Sequence, residues 1–268
     1  MECIRKDYSW SRFYKETAGF TLIEISIVIV IIGLIIGGVL VGKDLVKSAE
    51  IRAAVSEISA IQAGILVFKN KYNALSGDMR DATSIWPGAT SNGDGDGFFE
   101  TSDSAQDQEG GYLWHHMGLA QVYKTFTRPN AANFSNIPGI NTPQILPGTA
   151  ATGQRRNQTS THRRYGSTLN YIQLGKYNGA SGGSITCAAV DSMTAHAIDS
   201  KYDDGVPSSG KVLAYVTSTC AVIAPTCTDY PGDYVGGDYD YHQPPGSVSY
   251  DFNTPDSACR MAFLIHLQ

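Results

Sequence analysis

The chain lacks the local signatures of several large enzyme classes. The one Gly-x-Ser-x-Gly string in its 268 residues, Gly179-Ala180-Ser181-Gly182-Gly183, sits in a Gly/Ser-rich stretch that reads as a loop, not as the strained elbow that exposes a hydrolase serine. No phosphate-cradling Gly-Lys-Ser/Thr loop is present, which excludes the nucleotide site of a motor ATPase. Cys-x-x-Cys pairs are absent, and the spacings between Cys187, Cys220, Cys227 and Cys259 suit zinc poorly. No internal repeat is visible. Positive charge is scarce too: 20 Lys+Arg stand against 25 Asp+Glu, which argues against a general nucleic-acid-binding surface. With no nucleophile, base or cofactor loop in view, the chain reads as a non-enzyme.

Charge is also missing from one long stretch, and there the information lies. Between Phe20 and Gly42 the only charged residue is Glu24, and an apolar run extends from Ile25 to Val41. As a helix this span is about 34 Å long at ~1.5 Å per residue, enough to cross a hydrocarbon core of ~30 Å. A charge inside hydrocarbon costs at least ~2.5–3.5 kcal/mol and by default marks function. Glu24 lies about one helical turn from Phe20, so a positive partner there relieves that cost. The run is too long for a secretory signal peptide and has no small-residue cleavage site at its far end.

Gly19-Phe20-Thr21-Leu22-Ile23-Glu24 resembles the processing site of the type IV prepilin and pseudopilin family at every position. The resemblance covers about the first 55 residues. It implies cleavage between Gly19 and Phe20 by a prepilin peptidase, N-methylation of Phe20, and assembly into a helical filament. In that filament Glu24 of one subunit neutralises the Phe20 amine of a neighbour. The implied partners are other pilin or pseudopilin subunits, the peptidase, the inner-membrane assembly platform, and the membrane itself before assembly. The implied location is the bacterial inner membrane as a single-pass protein with a periplasmic head, then a filament at the cell surface or in the periplasm. Two features depart from the family pattern. The leader is long and mixes Arg5, Lys6, Arg12 and Lys15 with Glu2, Asp7 and Glu16, although its excess is positive, as retention on the cytoplasmic side requires. And there is no proline near Val41; Gly33, Gly37, Gly38 and Gly42 are the only weak points of the helix. Each costs about 1 kcal/mol of helix propensity against alanine.

The organisation that follows is a leader at 1–19, a transmembrane and filament-core helix at 20–42, an amphipathic continuation at 43–72 and a globular head at 73–268. In the continuation Ile51, Val55, Ile58, Ile61, Ile65, Phe68 and Tyr72 recur at steps of three and four, with the charges elsewhere. That is the pattern of a one-faced helix rather than a sustained heptad. Within the head, Ser76-Gly77-Asp78 breaks the chain and Glu109 to Ala120 reads as a short helix. Arg128 to Gly153 reads as a long loop. Tyr165 to Leu174, Lys211 to Val222 and Cys259 to Leu267 read as strands, and Cys187 to Tyr202 as a helix with Thr186 as its cap. The fold class is α+β: a long N-terminal helix packed on a small antiparallel sheet with large loops.

Residues 1–19 hold four of the basic and three of the acidic residues, leaving 16 against 22 in the mature chain. Cys3 is lost with the leader. The remaining Cys187, Cys220, Cys227 and Cys259 would face an oxidising envelope, where two disulfides are expected among three possible pairings. Cys220–Cys227 with Cys187–Cys259 is the favoured set.

The strongest chemical constellation is an acidic, glycine-rich loop. Counting from Asn92, oxygen donors fall at positions one (Asn92), three (Asp94), five (Asp96), nine (Glu100) and twelve (Asp103). Gly97 stands sixth, where the turn is sharp, and Phe98 offers its carbonyl seventh. This is the ligand register of a calcium loop, and calcium is the expected cofactor. A second group, Asp199, Asp203 and Asp204 before Gly205, has fewer donors and reads as a charged helix end. His115 and His116 are adjacent, so they point to different helix faces. Arg155, Arg156, Arg163 and Arg164 around His162 read as a solvated basic loop. The Tyr/Asp tract from Asp229 to Gly246 suits either an adhesive tip or a plain surface loop. The functional expectation is a minor or specialised pilin, with a type II secretion pseudopilin as the alternative; a DNA-uptake or adhesive tip subunit ranks lower.

Overall fold

The computed structural model describes residues 19–89, 91–99, 109–127, 137–147, 149–155, 170–176, 190–207, 209–215, 249–250, 252 and 258–265. The chain divides into two compact units, Met1–Lys47 and Ser48–Gln268. One helix, α1 (Leu22–Tyr72), runs through both. It starts where Thr21 and Glu24 close a reciprocal cap. The Thr21 amide donates to Glu24 Oε2 at 2.8 Å, and the Glu24 amide donates to Thr21 Oγ1 at 3.3 Å. Two of the otherwise unsatisfied first-turn amides are met this way.

In the first unit, α1 is the one described helix long and apolar enough to cross a membrane. Its apolar side chains point outward all round: Leu22 is 92% exposed and Leu34 72%. A soluble monomer rarely shows so large a contiguous apolar surface. This is a helix built to be covered by lipid or by other helices.

In the second unit the same helix has a single buried stripe, Ile51, Ala54, Ile58, Ile61, Gly64, Ile65 and Phe68. These are the positions that the three-and-four spacing singles out. Each fully buried aliphatic or aromatic side chain contributes about 1.5–3 kcal/mol. Phe68, Tyr72 and Trp86 close the far end as an aromatic cluster with ring centroids 4.8–5.9 Å apart.

Among the described residues, three short helices and a sheet complete the head. Helix α2 spans Ala82–Ile85 and α3 spans Glu109–Leu119. The strands are β1 (Thr149–Arg155), β2 (Asn170–Lys176), β3 (Val190–Asp191), β4 (Val212–Tyr215) and β5 (Ala258–Leu264), with α4 (Ser192–Tyr202) between β3 and β4. Every pairing is antiparallel: β1 with β2, and β5 with each of β2, β3 and β4. Along β5, Cys259, Met261 and Phe263 join the main core, while Ala262 and Leu264 form a small second cluster with Leu213. This is the two-residue alternation of a sheet with two unlike faces. Tyr202 of α4 donates its hydroxyl to Gln62 Oε1, and Gln62 Nε2 donates to the Leu264 carbonyl at 3.2 Å. One amide side chain thus ties α1, α4 and β5 together.

The α+β layout is as the sequence implies, with two local corrections. Residues 149–153, expected in a loop, are the start of β1, because a Thr/Ala/Gly segment with no apolar alternation finds its partner across the sheet rather than locally. Val190 and Asp191 are strand rather than helix. The α4 cap is Asp191, whose carboxylate accepts from the Thr194 amide at 2.8 Å; Thr186 lies outside the described residues.

One buried titratable group sits in this core. His116 on α3 is fully enclosed beside Trp86 and Tyr112, and its Nδ1 accepts from the Gly77 amide at 3.0 Å. Burial first, then the neighbouring His115, push its pKa down to about 4, against the opposing Ser91 carbonyl. The unfolded chain therefore binds a proton near pH 6.5 and the folded chain only near pH 4. The contribution to stability, on the order of 3 kcal/mol, is complete above pH 6.5 and lost as pH falls toward 4. Urea unfolding of the mature protein in mild detergent at pH 7 and 4.5 should show this loss, and His116→Gln should remove that part of the pH slope. An unchanged slope in the variant means that the imidazole is not held neutral.

Candidate functional sites

Two places carry unusual chemistry, one at each end of the sequence argument. The first is the start of α1. Glu24 Oε2 accepts from both the amide and the hydroxyl of Thr21, each at 2.8 Å. Phe20, directly before this cap, is 83% exposed. Gly19 precedes it. The only carboxylate of the apolar segment is therefore held at the Thr21 amide, one residue past Phe20, by a hydrogen-bond pattern that a helix start uses anyway.

The second place is the acidic loop after α2. Asp94 and Asp96 each accept from the amide two residues on, Asp96 and Phe98 respectively, at 2.8 Å. These successive turns need the positive φ of Gly95 (+71°) and Gly97 (+90°). The loop closes on two carboxylates from outside it. Asp78 accepts from the Gly95 amide at 2.5 Å and the Gly97 amide at 2.8 Å, and Glu109 Oε1 accepts from the Asp94 amide at 2.9 Å. A β-carbon at Gly93 would collide with the Asp78 backbone and with Glu109 Oε1, so the chain passes there only as glycine. Asn170 at the start of β2 bridges the loop to the sheet. Its Nδ2 donates to the Gly97 carbonyl at 2.8 Å, and its Oδ1 accepts from the Phe99 amide at 3.0 Å.

One carboxylate oxygen from each of Asp78, Asp94, Asp96 and Glu109 lies within 4.8 Å of the others. Asp78 and Glu109 are each 2% exposed. Burial pushes the Asp78 carboxyl up to about 6; the Gly97 and Gly95 amides pull the other way, and the charges of Asp96 and Asp94 add to the rise. Arg80 donates through Nε to the Asp94 carbonyl and supplies a nearby positive charge.

Of the loop residues expected as ligands, Asp94 and Asp96 converge. Asn92 Oδ1 accepts from the Thr83 amide at 2.9 Å, which anchors the loop entrance to α2. Phe98 follows the second turn, and Glu100 and Asp103 lie outside the described residues. Asp78 and Glu109 were not foreseen: one lies before the loop and one after it. Their only sequence signals are a carboxylate inside a Ser-Gly-Asp break and another at a helix start. His115 turns to the Phe126 and Gly88 carbonyls, away from the buried His116. Cys259 is buried and disulfide-bonded; Cys187, Cys220 and Cys227 lie outside the described residues, as do Arg156, Arg163, Arg164 and the tract from Asp229 to Gly246.

An outward apolar helical segment with Glu24 as its one carboxylate, directly after Gly19 and Phe20, fits a membrane-anchored precursor. Residues 15–40 match the family model described as the prokaryotic N-terminal methylation motif, so the chain carries the cleavage and methylation signal of type IV prepilins. That motif indicates a structural, pilin-like or pseudopilin protein, processed by prepilin peptidase and assembled with other pilin subunits. No curated protein and no solved structure matches the chain.

Proposed function

We propose that this chain is a minor or specialised pilin, a subunit of a type IV pilus-like filament whose large head sets its role. The observation that carries the reading is Glu24: the single charge, capped by Thr21, in the part of α1 that precedes Lys43, whose apolar side chains are exposed on every side. Removal of residues 1–19 turns Phe20 into a free amine beside that surface. The exposed stripes of neighbouring subunits then cover one another in place of lipid, with small faces at Gly33, Gly37 and Gly38 allowing close approach. Glu24 meets the Phe20 amine of a neighbour, so the charge that is costly in the bilayer becomes the contact that selects a correctly seated subunit. The residues from 73 onward make a head large for a repeating shaft subunit, which favours a specialised place in the filament over a major one.

Filaments sheared from the cell surface should contain the chain, beginning at an N-methylated Phe20 by terminal mass analysis. A chain that still carries Met1 sinks the filament reading, and one confined to the periplasm replaces the pilus with a secretion pseudopilus. In the same assay Glu24→Val and Glu24→Gln should both leave membrane insertion intact and reduce recruitment at least tenfold. Glutamine keeps an acceptor for the Thr21 amide, so wild-type recruitment of Glu24→Gln would mean that the cap matters and the charge does not.

Calcium is the proposed occupant of the acidic loop, held by Asp94 and Asp96 together with Asn92, the Phe98 carbonyl, Glu100 and Asp103. The convergence of Asp78 and Glu109 on the same loop supports the reading, since four clustered carboxylates repel one another until a cation arrives. Bound calcium stabilises the folded head by mass action, about 2.7 kcal/mol at a hundredfold excess over the dissociation constant. Removing both central ligands, Asp94→Ala with Asp96→Ala, should remove this loop's share of the calcium-dependent rise in melting temperature. Melting curves of the wild type that ignore both calcium and chelator would reduce the loop to a surface turn.

A further inference from the structure

A second carboxylate cluster closes the C-terminal end of α4. Asp203 is the helix C-cap, and its amide donates to the Asp199 carbonyl at 2.6 Å. Its side-chain Oδ2 accepts from the Lys211 and Val212 amides, which pins the start of β4 against the helix end. Asp204 Oδ1 accepts from the Val206 amide at 2.8 Å, and its Oδ2 accepts from the Ser209 hydroxyl at 2.7 Å. These contacts hold the half-buried Asp203 carboxylate and the exposed Asp204 carboxylate in place. One oxygen from each of Asp199, Asp203 and Asp204 lies within 4.8 Å of the others.

Asp199 makes this more than a charged helix end. Its residue is 0% exposed, Oδ2 accepts from the Tyr250 hydroxyl at 2.8 Å, and Oδ1 is buried and makes no hydrogen bond among the described residues. An orphaned buried carboxylate oxygen forfeits its hydration with nothing in return, a penalty that native structures rarely leave standing without a functional reason. The surroundings deepen the deficit. Asp203 and Asp204 add like charge, and the C-terminal carbonyls of α4 contribute the negative end of its dipole. Lys201 and Lys211 are exposed, and among the described residues neither pairs with any of the three carboxylates. Burial first, and then the charges of Asp204 and Asp203, push the Asp199 carboxyl upward against the Tyr250 and Gly205 donors.

We propose that Asp199, Asp203 and Asp204 form a divalent-cation site, calcium by preference, independent of the acidic loop after α2. A cation satisfies Asp199 Oδ1 directly and converts mutual repulsion among the three carboxylates into shared attraction. Calcium accepts six to eight oxygens in flexible geometry and tolerates water in the remaining positions. Magnesium demands a near-ideal octahedron and dehydrates reluctantly. Held there, the ion locks the end of α4 to the start of β4, and through Tyr250 to the segment that precedes β5.

The test uses the full mature protein in detergent micelles, stripped of metal and titrated with calcium chloride by calorimetry. With Asp94→Ala and Asp96→Ala in place to silence the other loop, one calcium site should remain and the melting temperature should still rise on calcium addition. Adding Asp204→Asn, an exposed change that keeps an acceptor for Val206, should abolish both responses. Adding Asp199→Asn should do the same while leaving the metal-free melting temperature equal or higher, because a buried charge is removed. A ligand-free background variant, or a calcium response untouched by Asp204→Asn, overturns the proposal. Binding is read on purified protein, so neither result depends on whether the chain assembles into a pilus.

Discussion

The head exists because one stripe of α1 has somewhere to go. Ile58, Ile61, Ile65 and Phe68 are fully enclosed, and they share a single core with Leu113, Trp114 and Met117 of α3 and Met261 and Phe263 of β5. Strip that face away and the short sheet has no partner layer, because five strands of two to seven residues cannot bury enough apolar surface alone. The same helix upstream follows the opposite rule. From Leu22 to Val46 its apolar side chains are exposed, and no part of the described chain covers them. One continuous backbone thus serves two solvents: an aqueous one, where only a stripe is apolar, and a lipid or protein one, where the whole circumference is.

Charge placement follows from that division. In the apolar half, a single carboxylate is affordable only because Thr21 caps it, and it becomes useful only when a positive group arrives. In the head, carboxylates gather instead of spreading. Asp78 and Glu109 are buried under a loop whose amides they bind, and Asp199 is buried under a helix end. In the first cluster the loop amides satisfy much of the carboxylate hydrogen-bonding capacity. In the second, one oxygen is left with nothing. The two clusters therefore differ in kind: one organises a loop through backbone contacts, and the other leaves a buried carboxylate oxygen without a donor among the described residues.

The helix from Leu22 to Tyr72 was legible almost completely from the sequence. A membrane-length span, a lone carboxylate and a three-and-four stripe are local properties, readable by spacing alone, and α1 ends at Tyr72 as the spacing implies. In the head, α3 and most of α4 were legible for the same reason, while the single turn of α2 was not. The sheet was less so. β1 carries no alternating pattern and exists because β2 lies beside it, and a strand of that kind leaves no mark in its own residues.

For the acidic loop, the sequence by itself determined the turns: Asp at alternate positions and Gly between them make successive side-chain-to-amide turns whatever surrounds them. Tertiary structure alone decided which carboxylates meet. Asp78 and Glu109 lie outside the loop; Asp199, Asp203 and Asp204 are neighbours in sequence, but the burial of Asp199, with Tyr250 hydrogen-bonded to it, comes from packing. Burial, which turns a common acidic surface into a site with an unmet demand, is a property of what packs above a residue. No spacing within a segment encodes it. Sequence determined the helix, its charge and its processing signal because each depends on neighbours within a few turns; the convergence of distant carboxylates waited on the fold, because only packing brings them together.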